Sequence, residues 1–536
     1  MSIPSELPAD EDEEEQVEAQ EHQPPPAHHP SAPSDELFDI STTVDPSSVI
    51  SLIRRLLPPD VRNSSMSYGV DAFDVSMQGS RIERLEGSVT TLTENGVLHS
   101  PNNQSELMET VDNSGVLDSS EERNDCLSHQ HKHQSGLVGE AAWEEYGCIL
   151  WDLAASKTHA ELMVQNVILE VLLASLMASQ SMRVTEIGLG ILGNLACHEV
   201  SRKQIVSIDG LVETIVDQLF LVDTPCLCEA FRLLTLCLQG SEGITWAEAL
   251  QTEHILCRIL WIAENTLNLQ LIEKSVGLLL AILQHQQEVT TVLLPPLMKL
   301  GLPSLLINLL ALEMSKLTGE REPERYSVLD LILQTIEALN VSDNYSQEIC
   351  LNMELFRLLN DLIKLPDKIE VADSCVTAAV LIANILIDAA DLDLEISQDL
   401  SFLQGILDIF PFASDDKEAQ SALWSILSRL LVQVQEREMS PSSLHQYVSI
   451  LVNKSEMIEE LLFDQIDDFN EEDEISNTSG AKATARATAL NSIFSILSEW
   501  TSLEEHVKER FPAGENHLSE GDVDRLLNCC SKYTFK

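Results

Sequence analysis

A block of apolar residues that recurs mostly every 40 to 47 residues, with longer steps where loops intrude, constrains this fold more than any other sequence feature. Residues 186–195 resemble residues 229–238, which lie 43 positions later. Similar blocks follow at 274–282, 329–339, 376–386, 422–431 and 489–500. A period in this range with helices only is typical of armadillo and HEAT arrays. The sequence therefore predicts an all-α, right-handed α-solenoid in which stacked units bury one continuous core.

One unit shows the internal pattern of the repeat. A polar turn at 201–203 precedes a predicted short helix over 204–208, and Gly210 predicts a sharp bend because glycine tolerates positive φ. A second helix is predicted over 211–221. The residues Asp223-Thr224-Pro225 then open a long third helix, since proline is favoured at helix starts. Three helices in this order make the armadillo pattern.

Residues 1–140 differ in composition from the rest of the chain. They are acidic and rich in Pro, Ser and Asn, so they cannot bury enough apolar surface to offset chain entropy. We predict that this region is mostly disordered. The exception is a short helix at about 46–57, with Asp45 as N-cap and Pro46 as first helical residue.

Residues 141–536 are predicted to form the helical repeat domain, with a solvated acidic loop at about 464–480. The two most apolar windows, 162–177 and 292–312, contain polar residues or prolines, so we predict no membrane span. The N-terminus has neither a basic nor an apolar leader segment, which argues against secretion.

The charge balance narrows the classes of partner. The chain has 32 Lys+Arg against 87 Asp+Glu, a formal net charge of −55. Such a chain is not expected to bind nucleic acid directly, because that affinity needs clustered cations, and anionic membranes are disfavoured equally. The same charge would steer a basic protein towards it. We therefore predict protein partners, with a basic partner favoured, and leave the oligomeric state open.

Three glycines imitate a nucleotide-binding motif. Gly188, Gly190 and Gly193 match G-x-G-x-x-G, which requires a strand before it and a helix after it. The preceding residues are short and polar, and no alternation of β and α elements follows. We therefore predict a third helix in which Gly190 and Gly193 share a face and allow close helix packing.

A short cluster of metal-ligand residue types lies in the acidic region. Cys126, His129, His131 and His133 could bind zinc or copper, but no second ligand pair follows at finger spacing. No lipase, P-loop, zinc-protease or kinase motif occurs. We accordingly assign no catalytic, cofactor-binding or metal residue and predict a non-enzymatic protein. An enzyme with no recognisable motif is the alternative of another class.

Two asparagines are candidates for partner binding. Armadillo solenoids bind extended peptides through third-helix asparagines, and Asn194 and Asn384 fall at that position. Nuclear-import adaptors of this fold carry a Trp four residues earlier, where this chain has Gly190 and Val380. The main prediction is a scaffold that binds a partner in its groove, with a transport-type adaptor for basic cargo as the alternative. For Asn194, a hydrogen bond within the solenoid is an equal alternative.

Two stretches carry a more specific likeness. Residues 145–153 (EYGCILWDL) and 190–197 (GILGNLAC), the latter preceded by Arg183 and Glu186, resemble the serum amyloid A-like 1 family of armadillo-like proteins. The resemblance is clearest over 141–240. It implies an adaptor without catalytic activity, located in nucleus and cytoplasm and linked to cell proliferation.

Trp151 and Asp152 lie within the first of these stretches. They could form a functional surface, but we favour the alternative that they are the packing tryptophan and the N-cap of the first unit.

Overall fold

The computed structural model describes residues 45–57, 127–284, 286–319, 321–341, 345–389, 391–436, 439–463, 477–503 and 518–534. Their regular structure is entirely helical, as the sequence predicts. The α-helices are α1 Pro46–Leu56, α2 Leu127–Ala154, α3 Lys157–Gln165, α4 Ile168–Ala178, α5 Met182–Ala196, α6 Glu199–Ser207, α7 Leu211–Asp217, α8 Thr224–Leu238, α9 Gly243–Leu250, α10 Glu253–Asn265, α11 Leu269–Gln284, α12 Gln287–Lys299, α13 Leu302–Gly319, α14 Tyr326–Asn340, α15 Ser346–Cys350, α16 Met353–Ile363, α17 Ala372–Asp388, α18 Leu392–Ser397, α19 Leu400–Ile409, α20 Lys417–Gln435, α21 Pro441–Asn453, α22 Ser455–Phe463, α23 Asn477–Ser502 and α24 Glu520–Thr534.

The helices repeat in threes. The first complete unit is α3, α4 and α5, and the last is α21, α22 and α23. Each third helix packs against the third helix of the next unit, in the series α2, α5, α8, α11, α14, α17, α20, α23. The recurring sequence blocks all lie in these helices. The armadillo-like solenoid is thereby confirmed.

Hydrogen bonds between units show the same period. The side-chain amide of Asn194 reaches the backbone oxygen of Trp151, 43 residues earlier. In the last unit the equivalent step is longer, and Gln435 bonds to Ser492, 57 residues later. The loops that lengthen some units therefore leave the stacking of third helices intact.

Local residues explain where the helices begin. Gly210 adopts a φ of +83° before α7, as predicted, and Asp223 accepts a hydrogen bond from the Cys226 N–H at 3.0 Å to cap α8. Two details differ from the prediction. Residues 201–203 lie inside α6, because its N-terminus is at Glu199, and α7 ends at Asp217 with a 3₁₀ turn after it.

The N-terminal helix α1 lies where the sequence predicts it, with Asp45 as its N-cap and Val49, Ile53 and Leu56 buried. The helical body begins at Leu127, earlier than the expected boundary at 141. The rest of the region predicted to be disordered, 1–44 and 58–126, lies outside the described residues. Of the expected acidic loop, 464–476 also lies outside them, while 477–480 already belongs to α23.

Within the described part of the chain, one helical stretch outside the two windows noted in the sequence is long and apolar enough to cross a membrane. By length and composition, Ile369–Asp388 could cross a membrane, and 61% of its apolar window is buried within the protein. The windows noted earlier fall on two helix pairs, α3 with α4 and α12 with α13, which also pass this test if each pair counts as one span but are bent by 75°. In the fold, α17 packs against α14, α16 and α20, so its apolar residues form solenoid core. The lack of a membrane span stays a prediction.

Candidate partner-binding face

One surface of the solenoid is built from third helices. Because each of them packs between the third helices of its neighbours, their outward residues form a continuous strip, which we call the third-helix face. Side chains on it come from different units yet lie on adjacent helices, which in packed proteins are about 8–10 Å apart. The strip therefore offers a long surface to an extended partner.

Asn194 lies on this face, but its amide is used within the protein. Its Nδ2 donates to the backbone oxygen of Trp151 on α2 at 2.8 Å. Its Oδ1 accepts from the Arg232 guanidinium on α8 at 3.2 Å, and Arg232 also donates to the Gly190 backbone oxygen at 3.1 Å. Asn194 thus joins three successive third helices by the hydrogen bonds that the structural alternative predicts, and its role in partner binding stays a prediction.

The motif-like glycines are packing residues. A Cβ placed at Gly190 would lie 2.2 Å from the ring of Trp151, and one at Gly193 would lie 2.4 Å from the Arg232 guanidinium. Each glycine therefore admits a large side chain from a neighbouring third helix, as predicted. Trp151 is the packing tryptophan. The N-cap prediction for Asp152 is wrong, because this exposed residue lies in the last turn of α2.

On α5, α8 and α11, in the N-terminal half of the face, the acidic side chains are paired with cations. Glu186 lies 2.6 Å from Arg183, and Glu229 lies 2.8 Å from Arg232. On α11, Glu273 contacts its neighbour Lys274 at 3.0 Å. Two of these pairs have the i, i+3 spacing that brings side chains together on a helix. The charges of these three helices are largely balanced locally, whereas Glu144 and Glu145 on α2 contact no Lys or Arg among the described residues.

In the C-terminal half, the carboxylates are unpaired. Asp330 and Glu337 on α14, Asp373 on α17 and Glu418 on α20 have no Lys or Arg partner within the described part of the chain. Asp330 accepts a hydrogen bond from Gln334 at 2.7 Å, and its other oxygen is buried without a partner. We call these four residues the acidic row.

Two carboxylates of the acidic row have raised pKa values. Burial raises the pKa of Asp330, and the nearby Asp373 carboxylate raises it further. Burial also raises the pKa of Glu337, and the carboxylates of Glu418, Asp416 and Asp330 add to the effect. Each shift has the sign expected for a carboxylate that lacks a cation.

Asn384 is the second sequence-predicted groove residue. It lies on α17, the same helix as Asp373, and its side chain is half-buried. Unlike Asn194, its amide makes no hydrogen bond to any residue that the structure describes. It is therefore available to a partner, and its role in binding stays a prediction.

Two of the buried cysteines are poor nucleophiles. Burial raises the pKa of the Cys228 thiol to about 11 and that of Cys375 to about 12, which keeps both protonated. No group of three or more His, Cys, Asp and Glu is placed to hold a metal ion among the residues with described side chains. The candidate cluster Cys126, His129, His131 and His133 lies outside those residues.

The fold and this face define the chain as an armadillo-like α-solenoid. The chain is similar to SAAL1 proteins, so the resemblance seen in the sequence is confirmed. It is 31% identical to protein saal1 of Danio rerio over 147 residues, covering 27% of this chain and 31% of that protein. It is 32% identical to protein SAAL1 of Homo sapiens over 130 residues, covering 24% and 27%. The chain thus matches less than a third of the length of either relative. No family model matches the chain.

Solved structures include distant neighbours. A designed armadillo repeat protein has 16% sequence identity and a TM-score of 0.35, over 45% of this chain and 94% of that one. An engineered protein has 14% identity and a TM-score of 0.39, over 74% and 96%. The repeat architecture is defined instead by the helix order and packing described above.

Proposed function

We propose that this protein is a non-enzymatic scaffold that binds a basic protein segment along the third-helix face, over α14, α17 and α20. The observation that carries the proposal is the acidic row, whose carboxylates lie on three successive third helices without cationic partners. Asp330 and Glu337 are half-buried and unpaired, so their charges cost the free protein stability, whereas Asp373 and Glu418 are exposed. A partner that supplies cations would recover this cost on binding.

The spacing of the helices suggests the form of the partner. Adjacent third helices are expected to lie about 8–10 Å apart, and a polyproline-type segment advances about 3.1 Å per residue. Every third residue of such a segment lies on one side and meets the next helix. Lys or Arg at positions i, i+3 and i+6 would therefore face Asp330, Asp373 and Glu418 in turn.

Asn384 supports the same placement. Its unbonded amide lies on α17, the central helix of the acidic row. An amide can donate to and accept from an extended backbone, whatever the side chains of that backbone are. Asn384 would thus hold the segment while the acidic row selects its charge. Asn194 has no part in this proposal, because its amide is already bonded within the solenoid.

The experiment is a binding measurement with matched variants. The probe is a fluorescein-labelled nine-residue peptide with lysine at every third position, titrated with the full chain at physiological salt. Neutralising three residues of the acidic row with D330N, D373N and E418Q should weaken binding about tenfold, the scale of a few exposed ion pairs. The control variant E186Q, E229Q and E273Q removes the same number of charges from the paired half.

The control variant distinguishes binding at the acidic row from general attraction by the net charge of the protein. If both triple variants lose the same affinity, net charge attracts the peptide and the acidic row is not a site. Binding that is unchanged between low and high ionic strength would also contradict the proposal, because exposed ion pairs are screened by salt.

The alternative, a transport-type adaptor for basic cargo, uses the same face and chemistry. It adds release of the cargo in a second compartment.

Location in nucleus and cytoplasm and a link to cell proliferation are further proposals supported by the SAAL1 resemblance. Imaging of the tagged full chain tests the first, and proliferation of cells depleted of the protein tests the second. Exclusion from the nucleus would remove the transport alternative.

A further inference from the structure

The N-terminal helix α1 is seated on a surface formed by α2, α3 and α4. It buries Val49, Ile53 and Leu56, which are 0%, 2% and 3% exposed. These positions are i, i+4 and i+7, so they form one apolar stripe along the helix. The guanidinium of Arg55 lies over the ring of Tyr146 on α2, 4.8 Å from its centroid, in a cation–π contact.

Contacts with this surface, rather than the connection to α2, determine where α1 lies. Residues 58–126 connect α1 to α2, and at about 3.3 Å per residue a connection of this length can span roughly 200 Å. Such a connection permits many positions for α1. Its place on α2, α3 and α4 therefore reflects side-chain complementarity.

The helical form of α1 also depends on docking. It has 11 residues, and isolated helices shorter than about 12–15 residues are marginal in water. Undocking therefore coincides with loss of the helix. In physical terms α1 is a ligand that folds on binding, and the surface beneath it is a receptor for a short amphipathic helix.

We propose that the surface of α2, α3 and α4 is a docking site for an amphipathic helix of a partner protein, and that α1 occupies this site in cis. The partner helix carries apolar residues at i, i+4 and i+7 and an arginine at i+6, the pattern of Val49, Ile53, Leu56 and Arg55. The partner helix binds only after α1 has left the surface, so docking of α1 weakens the partner's apparent affinity. This site is separate from the acidic row and does not depend on the function proposed for it.

The test uses the full chain and a labelled peptide with the sequence of residues 45–57. In the variant I53D, a charge replaces a buried side chain and α1 should leave the site. The peptide should then bind the variant at least tenfold more tightly than wild type. The matched control S51D places the same charge on the exposed side of α1 and should behave as wild type. A peptide that itself carries I53D should not bind.

Either of two outcomes overturns the proposal. Equal binding to wild type and I53D shows that α1 does not occupy the peptide site, and no binding to I53D shows that the surface accepts no helix in trans. Hydrogen exchange of the wild-type chain guards against a misfolded variant. The amides of α1 should exchange together, at least tenfold faster than those of α5. Equal protection of the two helices would show that α1 is a fixed part of the solenoid.

Discussion

The two halves of the third-helix face have the same architecture, but the carboxylates of α5, α8 and α11 differ from those of the acidic row in their pairing with cations. In the N-terminal half Glu186, Glu229 and Glu273 each contact a cation on their own helix. In the C-terminal half the acidic row contacts none. Both halves carry carboxylates on their third helices. Whether a cation lies beside a carboxylate determines the role of that carboxylate. Paired carboxylates stabilise the solenoid, whereas unpaired ones remain available to a partner.

The largest expected effect on the free energy of unfolding is at the boundary between the N-terminal and C-terminal halves. Between α13 and α14, Glu313 is 2% exposed and receives hydrogen bonds from Arg325 at 2.8 and 2.5 Å. R325M would leave a buried carboxylate unpaired, and we expect a loss of about 3 kcal/mol in the free energy of unfolding. Denaturant unfolding of the full chain measures it. The double variant R325M and E313L should recover most of the loss, and a single variant within 0.5 kcal/mol of wild type would contradict the prediction.

The next largest effect on stability comes from helix packing in the N-terminal half of the third-helix face. G190A would place a Cβ 2.2 Å from the Trp151 ring, so we expect a loss of about 2 kcal/mol from overpacking. The matched control is G277A on α11, where a Cβ meets nothing within 4 Å. That variant should gain about 0.5 kcal/mol, because alanine favours a helix interior. Thermal unfolding compares the two, and a gain in both would show that Trp151 moves aside freely.

A smaller effect lies in the turn between α3 and α4. Val167 has a φ of +57°, whereas the equivalent bends before α7 and α13 use Gly210 and Gly301 at +83° and +90°. A β-branched residue is strained there, and Val167 is 55% exposed, so glycine would lose little burial. V167G should gain up to about 1 kcal/mol in unfolding free energy. The reverse change G210V should lose at least as much, and a loss in both variants would refute the strain.

The smallest effect is a pH dependence confined to the acidic row. The pKa values of Asp330 and Glu337 are raised in the folded protein, so the unfolded state releases these protons more readily. These groups therefore destabilise the fold at neutral pH, and the penalty disappears as pH falls through the raised values towards 4. The variant D330N, E337Q should be more stable than wild type at pH 7, and the difference should vanish near pH 4. A constant difference would contradict the prediction.

Much of this fold was readable in the sequence because the repeat is local. Gly210 and Asp223 mark helix ends through their own backbone and side chains, so their roles needed no tertiary information. Asn194 could not be assigned in this way, since its bond to Trp151 depends on how units stack 43 residues apart. The pairing of Arg183 with Glu186 was visible as an i, i+3 spacing, but its significance required a comparison with the other half.

The acidic row was missed for a related reason. No basic residue lies three or four positions from Asp330 or Asp373, which was a usable signal. However, placing Asp330, Asp373 and Glu418 on adjacent helices requires the register of three units of unequal length. That register is set by packing of the third helices, which sequence spacing alone does not determine.

The contact between Gly190 and Trp151 has an evolutionary consequence. The missing side chain at one position and the large ring at the other fill a single volume shared by α5 and α2. Neither residue can change size without a compensating change in the other. Across related chains the two positions should therefore vary as a linked pair, and a bulky residue at the first should accompany a small one at the second.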